Sequence, residues 1–572
     1  SASPLSVCDN AFDFLHKGLG FDFGKSCASE EDLPYWETLA SMIDVEDFDF
    51  DAFVNQRFNA SNVNDENTFV QIWFEYKDEF SRWLLKTYAV WKSDVRSYLV
   101  RVLEHVGSQS TSDLFSLIAT QIFDEPLDDS SLHQRLLLLK EAKRQNVKIT
   151  SLAEQKLKAK LSAMAADPER GPLFAMKYMS PLTLSEQGLM IEWVGQGKIV
   201  KNYIETLYPE LYNYLALPNV HTENGNNWIN EYFQEYCLSK VANKPTDRLV
   251  DMLKERNASL ASFETWRDRF KTVKTFLHHR NDIDVYYWID GLGVDWIPFI
   301  AKVIDKHKVD GVFLNEIYVA TAALPTVTSV NREKLSELAG DRLEKIGDVD
   351  KFAHTQKKYP AYLVKEFELV EEAISNVLSQ YNGKKIAFVS DHGISYMAQF
   401  GKGLNLAGVE TEHAGRCGRW LNGVATADSN YVVMEDGHTI CSLNLNSLSA
   451  KTPEGQGAHG GATPEEVLVP IIIVSSQKNA SVYTVQLQSD EISATSPVVR
   501  YSIAGMSSID TPVVIYNGVP YALHWINDDI YESERLNLVG TSTRVTLCIG
   551  EFKQTDNLSI NTGVQEDDLL GF

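Results

Sequence analysis

Between residues 284 and 475 the chain alternates short apolar runs with longer amphipathic ones. Short apolar runs are typical of buried strands, and strands that alternate with helices predict a layered α/β domain with a mostly parallel sheet. The predicted strands are Asp284–Ile289, Gly311–Leu314, Lys385–Val389, Tyr431–Met434 and Val467–Ser475. The predicted helices between them include Lys334–Ile346 and Ala361–Tyr381. Ligands of such domains bind where the strands end, at the carboxyl edge of the sheet.

The sequence has a different texture on either side of this region. Before it, apolar side chains recur at helical spacing in several stretches between Asn67 and Phe276. After about residue 480 they alternate with period two, and Asn517-Gly518 between two apolar runs predicts a hairpin. We therefore expect an α+β multidomain protein: a helical N-terminal region (1–275), a central α/β domain (276–478) and a C-terminal β-sandwich-like domain (479–572). Its 572 residues exceed the roughly 250–300 that one hydrophobic core supports.

Charge and composition limit the partners that such a chain can bind. The formal net charge is −25, so the average surface repels nucleic acid and anionic membranes, and any nucleic-acid contact must be local. No run of about 18 apolar residues is present. The six cysteines are scattered singly without a C-x-x-C pair, which is typical of free thiols in a reducing compartment. The expected location is the cytoplasm.

Polar side chains follow two of the predicted strands. Asp290 comes directly after the first, and Asp391 and His392 follow Ser390 after another. Aspartate and histidine are both zinc ligands, and parallel strands bring their carboxyl ends to one edge. The alternatives are that Asp290 caps the next helix and that Asp391 and His392 lie in an ordinary loop.

Two further sites carry metal-ligand side chains. Asp350 and His354 are four residues apart, which places a carboxylate and an imidazole on one helix face. His459 lies in the glycine-rich stretch 455–461, where the backbone can approach an ion or a phosphate closely. The alternatives are a solvated surface pair for the first site and a flexible loop with an incidental histidine for the second.

A hydroxyl-rich segment, Pro325-Thr-Val-Thr-Ser-Val-Asn331, leads into a predicted helix. A hydroxyl at a helix N-terminus lies among free N–H groups and at the positive end of the dipole, which suits attack on an anionic phosphoryl group. Thr328 is the candidate nucleophile. The alternative is that Thr328 or Ser329 only caps the helix.

Taken in chain order, these segments resemble the alkaline phosphatase superfamily. Its phosphodiesterase branch carries a Pro-Thr-x-Thr-x-x-Asn motif, which Pro325, Thr326, Thr328 and Asn331 match position for position. The resemblance implies that Thr328 attacks and that Asn331 helps to hold a phosphoryl oxygen. It also implies two Zn2+ ions, for which Mn2+ is an alternative because it accepts the same ligands. The implied ligands are Asp290, Thr328, Asp391 and His392 for one ion and Asp350, His354 and His459 for the other.

More narrowly, the chain resembles the PglZ family over about residues 280–475, through the run Thr463–Pro470 after His459-Gly-Gly and the strand that ends in Asp290-Gly-Leu-Gly. That family is known from BREX phage-defence systems. The resemblance implies a phosphodiesterase or nuclease-like enzyme that acts on a phosphoester, including nucleic acid or a nucleotide. It implies partners among other BREX components, such as the PglX-type methyltransferase. A BREX scaffold with a structural metal site and a phosphomonoesterase are the alternatives.

A cationic cluster follows the Asp391-His392 segment. Arginines beside an aromatic ring are bidentate phosphate donors, so His413, Arg416 and Arg419 are predicted to contact substrate. The alternative is that these arginines pair with carboxylates of an acidic protein.

Overall fold

The computed structural model describes two compact units, residues 1–208 and 209–572. The residues described run from 8 to 561, apart from gaps at 24–28, 45–47, 94–96, 107–113, 125–127, 219, 221–225, 227, 279, 347, 356–357, 427, 478–482, 505, 507–509, 528–529, 540–541 and 551.

The regular structure described in the first unit is helical. Its helices are α1 (Ala11–Asp13), α2 (Leu33–Met42), α3 (Phe50–Arg57), α4 (Glu66–Glu75), α5 (Glu79–Lys92), α6 (Tyr98–Glu104), α7 (Leu114–Thr120), α8 (Asp129–Arg144), α9 (Ser151–Ala166), α10 (Gly171–Ala175) and α11 (Leu184–Gly195). Aspartates begin several of them: the carboxylates of Asp65 and Asp78 accept hydrogen bonds from the third residue of α4 and α5. Such caps satisfy backbone N–H groups that a helix start leaves without partners.

The second unit opens with five more helices before its first strand. They are α12 (Pro209–Tyr214), α13 (Trp228–Ala242), α14 (Asp247–Arg256), α15 (Leu260–Arg267) and α16 (Val273–Leu277). Although their sequence is helical like that of the N-terminal region, they belong to the same compact unit as the sheets.

The remaining helices and strands follow in chain order. The helices are α17 (Ile297–Lys306), α18 (Thr328–Ala339), α19 (Asp348–Ala353), α20 (Ala361–Gln380) and α21 (Pro464–Val467). The strands are β1 (Val285–Ile289), β2 (Phe313–Thr321), β3 (Leu343–Ile346), β4 (Ile386–Val389), β5 (Val409–Glu412), β6 (Cys417–Trp420), β7 (Tyr431–Val433), β8 (Thr439–Ser442), β9 (Leu468–Ser475), β10 (Thr484–Leu487), β11 (Glu491–Ser493), β12 (Arg500–Ala504), β13 (Val513–Tyr516), β14 (Val519–Asn527), β15 (Ile530–Ser533), β16 (Ser542–Ile549) and β17 (Phe552–Asn561).

The central sheet has five strands in the order β2-β9-β4-β1-β3. β1 pairs in parallel with β3 and β4, whereas β9 pairs antiparallel with β2 and β4. Four strands therefore share one direction and β9 alone opposes them within this sheet. Side chains such as Trp288, Val389 and Ile473 form its core. The parallel neighbours β1 and β4 bring their carboxyl ends side by side.

One predicted helix of this region is wrong, and one predicted strand is confirmed but lies outside the central sheet. The helix predicted over Lys334–Ile346 ends at Ala339, because Gly340 adopts a positive φ of 56° there, and the chain continues as the edge strand β3. The strand predicted at Tyr431–Met434 exists as β7, but it belongs to a separate four-stranded antiparallel sheet in the order β5-β6-β8-β7.

The C-terminal region forms an eight-stranded sheet in the order β10-β12-β15-β14-β13-β16-β17-β11. The hairpin predicted at Asn517-Gly518 is confirmed, since β13 and β14 pair antiparallel across it and both turn residues have positive φ. The first half of β14 pairs with β13 and its second half with β15, so one strand serves both halves of the sheet. Both halves contribute to one core.

Two sequence expectations concern the chain as a whole. Within the described ranges, no helix is both long enough and apolar enough to cross a membrane. Cys8, Cys237, Cys417, Cys441 and Cys548 are free thiols, and Cys27 lies outside the described residues.

Candidate active site

Asp290, Asp391 and His392 meet at the carboxyl edge of the central sheet. Asp290 follows β1, and the other two follow its parallel neighbour β4. The Gly291 N–H donates to Asp391 Oδ1 over 3.3 Å, which ties the two loops together. One ligand atom from each of the three residues lies within 4.8 Å of the others, and all three residues are buried.

A second group lies against the first. His354 Nε2 is 3.2 Å from Asp350 Oδ1 and 2.9 Å from His459 Nε2, and His459 Nε2 is 3.5 Å from Asp350 Oδ1. Ligand atoms of Asp350, His392 and His459 also lie within 4.8 Å of one another. The rings of His392 and His459 stack with centroids 3.9 Å apart. All six predicted protein ligands other than Thr328 therefore converge on one place.

Hydrogen bonds to carbonyl groups orient two of these imidazoles. His459 Nδ1 lies 2.8 Å from the Thr326 carbonyl oxygen, and His392 Nδ1 lies 3.1 Å from that of Gly393. A carbonyl oxygen only accepts, so each Nδ1 donates, and each Nε2 faces the carboxylates of the cluster. Metal-binding histidines are fixed in this way by a partner on the other ring nitrogen.

Thr328 occupies the first turn of α18 and faces the same cluster. Its hydroxyl lies 3.3 Å from Asp290 Oδ1 and 3.3 Å from His392 Nε2. Val327 is the N-cap residue of α18, so the alternative that Thr328 or Ser329 caps the helix does not hold. Thr326 joins this segment to the His459 loop, because its hydroxyl donates to the Gly461 carbonyl and accepts from the Gly460 N–H.

The cluster fits a divalent cation. The buried oxygens Asp350 Oδ1 and Asp391 Oδ2 accept no hydrogen bond of good geometry, although imidazole nitrogens lie 3.2 and 3.4 Å from them. Burial, together with the charge of Asp391, raises the pKa of Asp290 to about 6. Burial and the neighbouring His392 lower the pKa of His459 well below its usual value. Carboxylates beside imidazoles form the nitrogen and oxygen donor set that Zn2+ and Mn2+ both accept.

The Asn331 amide is used within its own loop. Its oxygen accepts from the Ala323 N–H at 2.8 Å, and its nitrogen donates to the carbonyl oxygens of Ala323 and Val327. These bonds assign Asn331 to holding the turn before Thr328, which corrects the expectation that it binds a phosphoryl oxygen.

The Arg416 guanidinium is likewise hydrogen-bonded to other parts of the protein. The guanidinium is fully buried and binds Glu466 through two hydrogen bonds of 3.0 and 2.7 Å. Its remaining donors reach the Ser442 hydroxyl and the Asn446 carbonyl. Arg416 is therefore paired with a carboxylate, which was the alternative. This pairing corrects the prediction that Arg416 contacts a phosphate. Glu466 also accepts from the Gly461 N–H, so the pair holds the loop that carries His459.

The other two predicted substrate residues differ in position. The His413 ring lies 4.6 Å from the His459 ring, with burial lowering its pKa. His413 and Ala414 both adopt positive φ, which few residues other than glycine do. Arg419 is exposed on β6, paired in register with Glu410 of β5 and Thr439 of β8.

Several residues that support the site escaped the sequence analysis. Tyr236 on α13 donates to the Ile394 carbonyl and accepts from the Tyr396 N–H, which holds the loop after His392. Glu465 accepts from Tyr232 of α13 and from Ser395 of the same loop. These partners are far apart in sequence, and no local pattern marks them. Lys345 contacts Asp290. The sequence did not predict this contact because it placed Lys345 in a helix, although Gly340 is a residue that commonly ends helices.

No protein-family model matches this chain, and no curated protein matches it. The function must therefore be argued from the geometry of the site.

Zinc is expected to raise the thermal midpoint of the metal-free protein, because a bound cation relieves the repulsion among the carboxylates. A ligand at 100 times its Kd stabilises the folded state by about 2.7 kcal/mol. His459→Ala should lose most of this rise, as differential scanning calorimetry with and without zinc would measure. The control is His524→Ala, which alters an exposed histidine of β14. Equal stabilisation of both variants would contradict the ligand assignment.

Without metal, Asp290→Asn should make the protein more stable at pH 8 and leave it nearly unchanged at pH 4. The pKa of Asp290 is raised on folding from 3.8 to about 6, so its carboxylate destabilises the fold increasingly as pH rises through that interval. Thermal midpoints of chelator-treated parent and variant across this pH range give the comparison. A variant less stable than the parent at pH 8 would refute the crowding of charge inferred for this site.

Proposed function

We propose that the protein is a metal-dependent phosphoester hydrolase with Thr328 as its nucleophile. The observation that carries this proposal is the position of the Thr328 hydroxyl, 3.3 Å from both Asp290 Oδ1 and His392 Nε2 at the start of α18. A hydroxyl that only stabilised the fold would have no need of two metal-ligand side chains. The helix N-terminus adds favourable potential for an anionic substrate.

Two divalent ions, most simply Zn2+, would be held by these residues. Asp290, Asp391 and His392 would hold one, and Asp350, His354 and His459 the other. When bound, such ions supply charge stabilisation to phosphoryl oxygens and acidify a coordinated hydroxyl. The distances among the six side chains and the buried acceptors of Asp350 and Asp391 support this assignment.

The protein's own residues act in two steps. In the first, the Thr328 oxygen bonds to phosphorus, the bond from phosphorus to the leaving oxygen breaks, and the hydroxyl proton of Thr328 passes to the leaving oxygen, which gives a phosphothreonine. In the second, a water oxygen bonds to phosphorus and the bond to Thr328 breaks, which restores the hydroxyl. The N-terminus of α18 keeps Thr328 in place throughout, since Asn331 and Thr326 fix the preceding turn.

A phosphodiester is the proposed substrate class. A monoesterase usually needs a cationic clamp for the second negative charge of its substrate. Arg416 and Arg419 are the sequence's two candidates for that clamp, and the guanidinium of Arg416 is buried against Glu466 instead. This arrangement supports the singly charged diester over the monoester. The motif resemblance to the PglZ family extends the proposal to a role in BREX phage defence.

Thr328→Ala should reduce turnover of a nitrophenyl phosphodiester by at least about 10³-fold, because loss of a nucleophile removes the covalent route. Zinc binding should persist, since the six other ligands remain. The measurement is the release of nitrophenol at saturating zinc, with the diester and the monoester in parallel.

Ser329→Ala is the matched control, because it removes the adjacent hydroxyl from the same helix turn and should leave kcat/KM within about twofold. Near-normal activity of Thr328→Ala would refute the nucleophile, and a preference for the monoester would refute the diester assignment. An inactive parent that still binds zinc would favour the structural-metal scaffold.

A further inference from the structure

Lys345 lies beside the proposed metal site on the edge strand β3. It stands opposite Trp288 of β1 in the sheet register, and its ammonium lies 4.0 Å from the centre of the Trp288 ring. Lys345 Nζ is 2.6 Å from Asp290 Oδ2. The lysine side chain is 40% exposed, whereas that of Asp290 is 7% exposed. The ion pair therefore joins a buried metal-ligand carboxylate to a cation at the rim.

The two oxygens of Asp290 face different partners. Oδ1 points into the cluster, 3.3 Å from the Thr328 hydroxyl and 3.6 Å from His392 Nε2. Oδ2 faces the Lys345 ammonium. A charge-assisted hydrogen bond of this length is roughly twice as strong as a neutral one. It is directed at one oxygen only, because an ammonium is a compact point charge, unlike the two-pronged guanidinium of arginine.

We propose that Lys345 is a positioning residue that makes Asp290 bind its metal through Oδ1 alone. The inference rests on the proposed metal site. Carboxylates bind cations through one oxygen or both, and a catalytic zinc site needs a coordination position that the protein leaves open. By occupying Oδ2, Lys345 keeps that position free for Thr328 and a phosphoryl oxygen.

The same contact explains why a cation should stand beside a metal ligand at all. A lysine near a divalent ion weakens metal binding by repulsion, so metal affinity alone would select against it. The lysine partner of this ion pair is 40% exposed, so screening by water limits what the pair contributes to the stability of the fold. Neither metal affinity nor fold stability therefore accounts for Lys345, whereas control of how Asp290 coordinates does. We expect loss of Lys345 to reduce catalysis and to leave folding and metal binding intact.

The test uses Lys345→Met in the full chain, loaded with Co2+ in place of zinc. We expect the variant to bind cobalt as tightly as the parent or more tightly, because a positive charge is gone. Its visible absorption should be weaker, since a second oxygen of Asp290 raises the coordination number and higher-coordinate Co2+ absorbs less. Turnover of the phosphodiester should fall about 10- to 100-fold, the usual effect of removing the partner of a metal ligand.

The control is Lys365→Met, which removes an exposed lysine that is ion-paired with Glu368 on α20. It should leave spectrum, affinity and turnover unchanged. An unchanged cobalt spectrum in Lys345→Met would overturn the proposal. If KM also rose, Lys345 would be a substrate contact instead. The spectrum is measurable even if the parent hydrolyses no phosphoester, so failure of the proposed function would be recognised separately.

Discussion

The close approach of three carboxylates and three imidazoles at one edge of the central sheet is the constraint on which the rest of the site depends. Asp290, Asp350 and Asp391 are gathered with three imidazoles at one edge of the sheet, where burial and like charge raise the pKa of Asp290 to about 6. In the absence of a bound cation, the raised pKa of Asp290 makes the fold less stable as pH rises from 3.8 to about 6. Asp350 Oδ1 and Asp391 Oδ2 are buried oxygens with unused acceptor capacity, which a cation could take up. These side chains form groups that could hold a metal ion.

The scaffold around the cluster is built for close approach between loops. A Cβ atom on Gly393, next to His392, would lie 2.0 Å from the Glu465 carbonyl oxygen, so only glycine fits between the two loops. The buried pair of Arg416 and Glu466 closes the other side of the His459 loop. Breaking a buried pair by removing one partner typically costs about 3–5 kcal/mol. Rigid support of this kind fixes the positions of the clustered side chains.

Part of this organisation is legible in the sequence, and the reason is local. Asp290, Asp391 and His392 directly follow apolar strands, so their common edge could be predicted from strand order. Asp350 and His354 are one helical turn apart, which also is a local relation.

What the sequence could not reveal depends on long-range pairing. Arg416 has its partner Glu466 fifty residues away, and the tyrosines of α13 reach loops more than 150 residues distant. The strand β3 has only four residues, and their apolar spacing continued the preceding helical pattern. Strand β9 is antiparallel to its neighbours β2 and β4. No local sequence pattern indicates this direction.

The central claim is that six side chains of this unit form a two-metal site beside Thr328. Anomalous diffraction at the zinc absorption edge, on crystals of the zinc-loaded protein, tests it most directly. The account predicts two anomalous peaks roughly 3.5–4 Å apart. One should be bonded to Asp290, Asp391 and His392, and the other to Asp350, His354 and His459. A single peak, or peaks away from these residues, would contradict it.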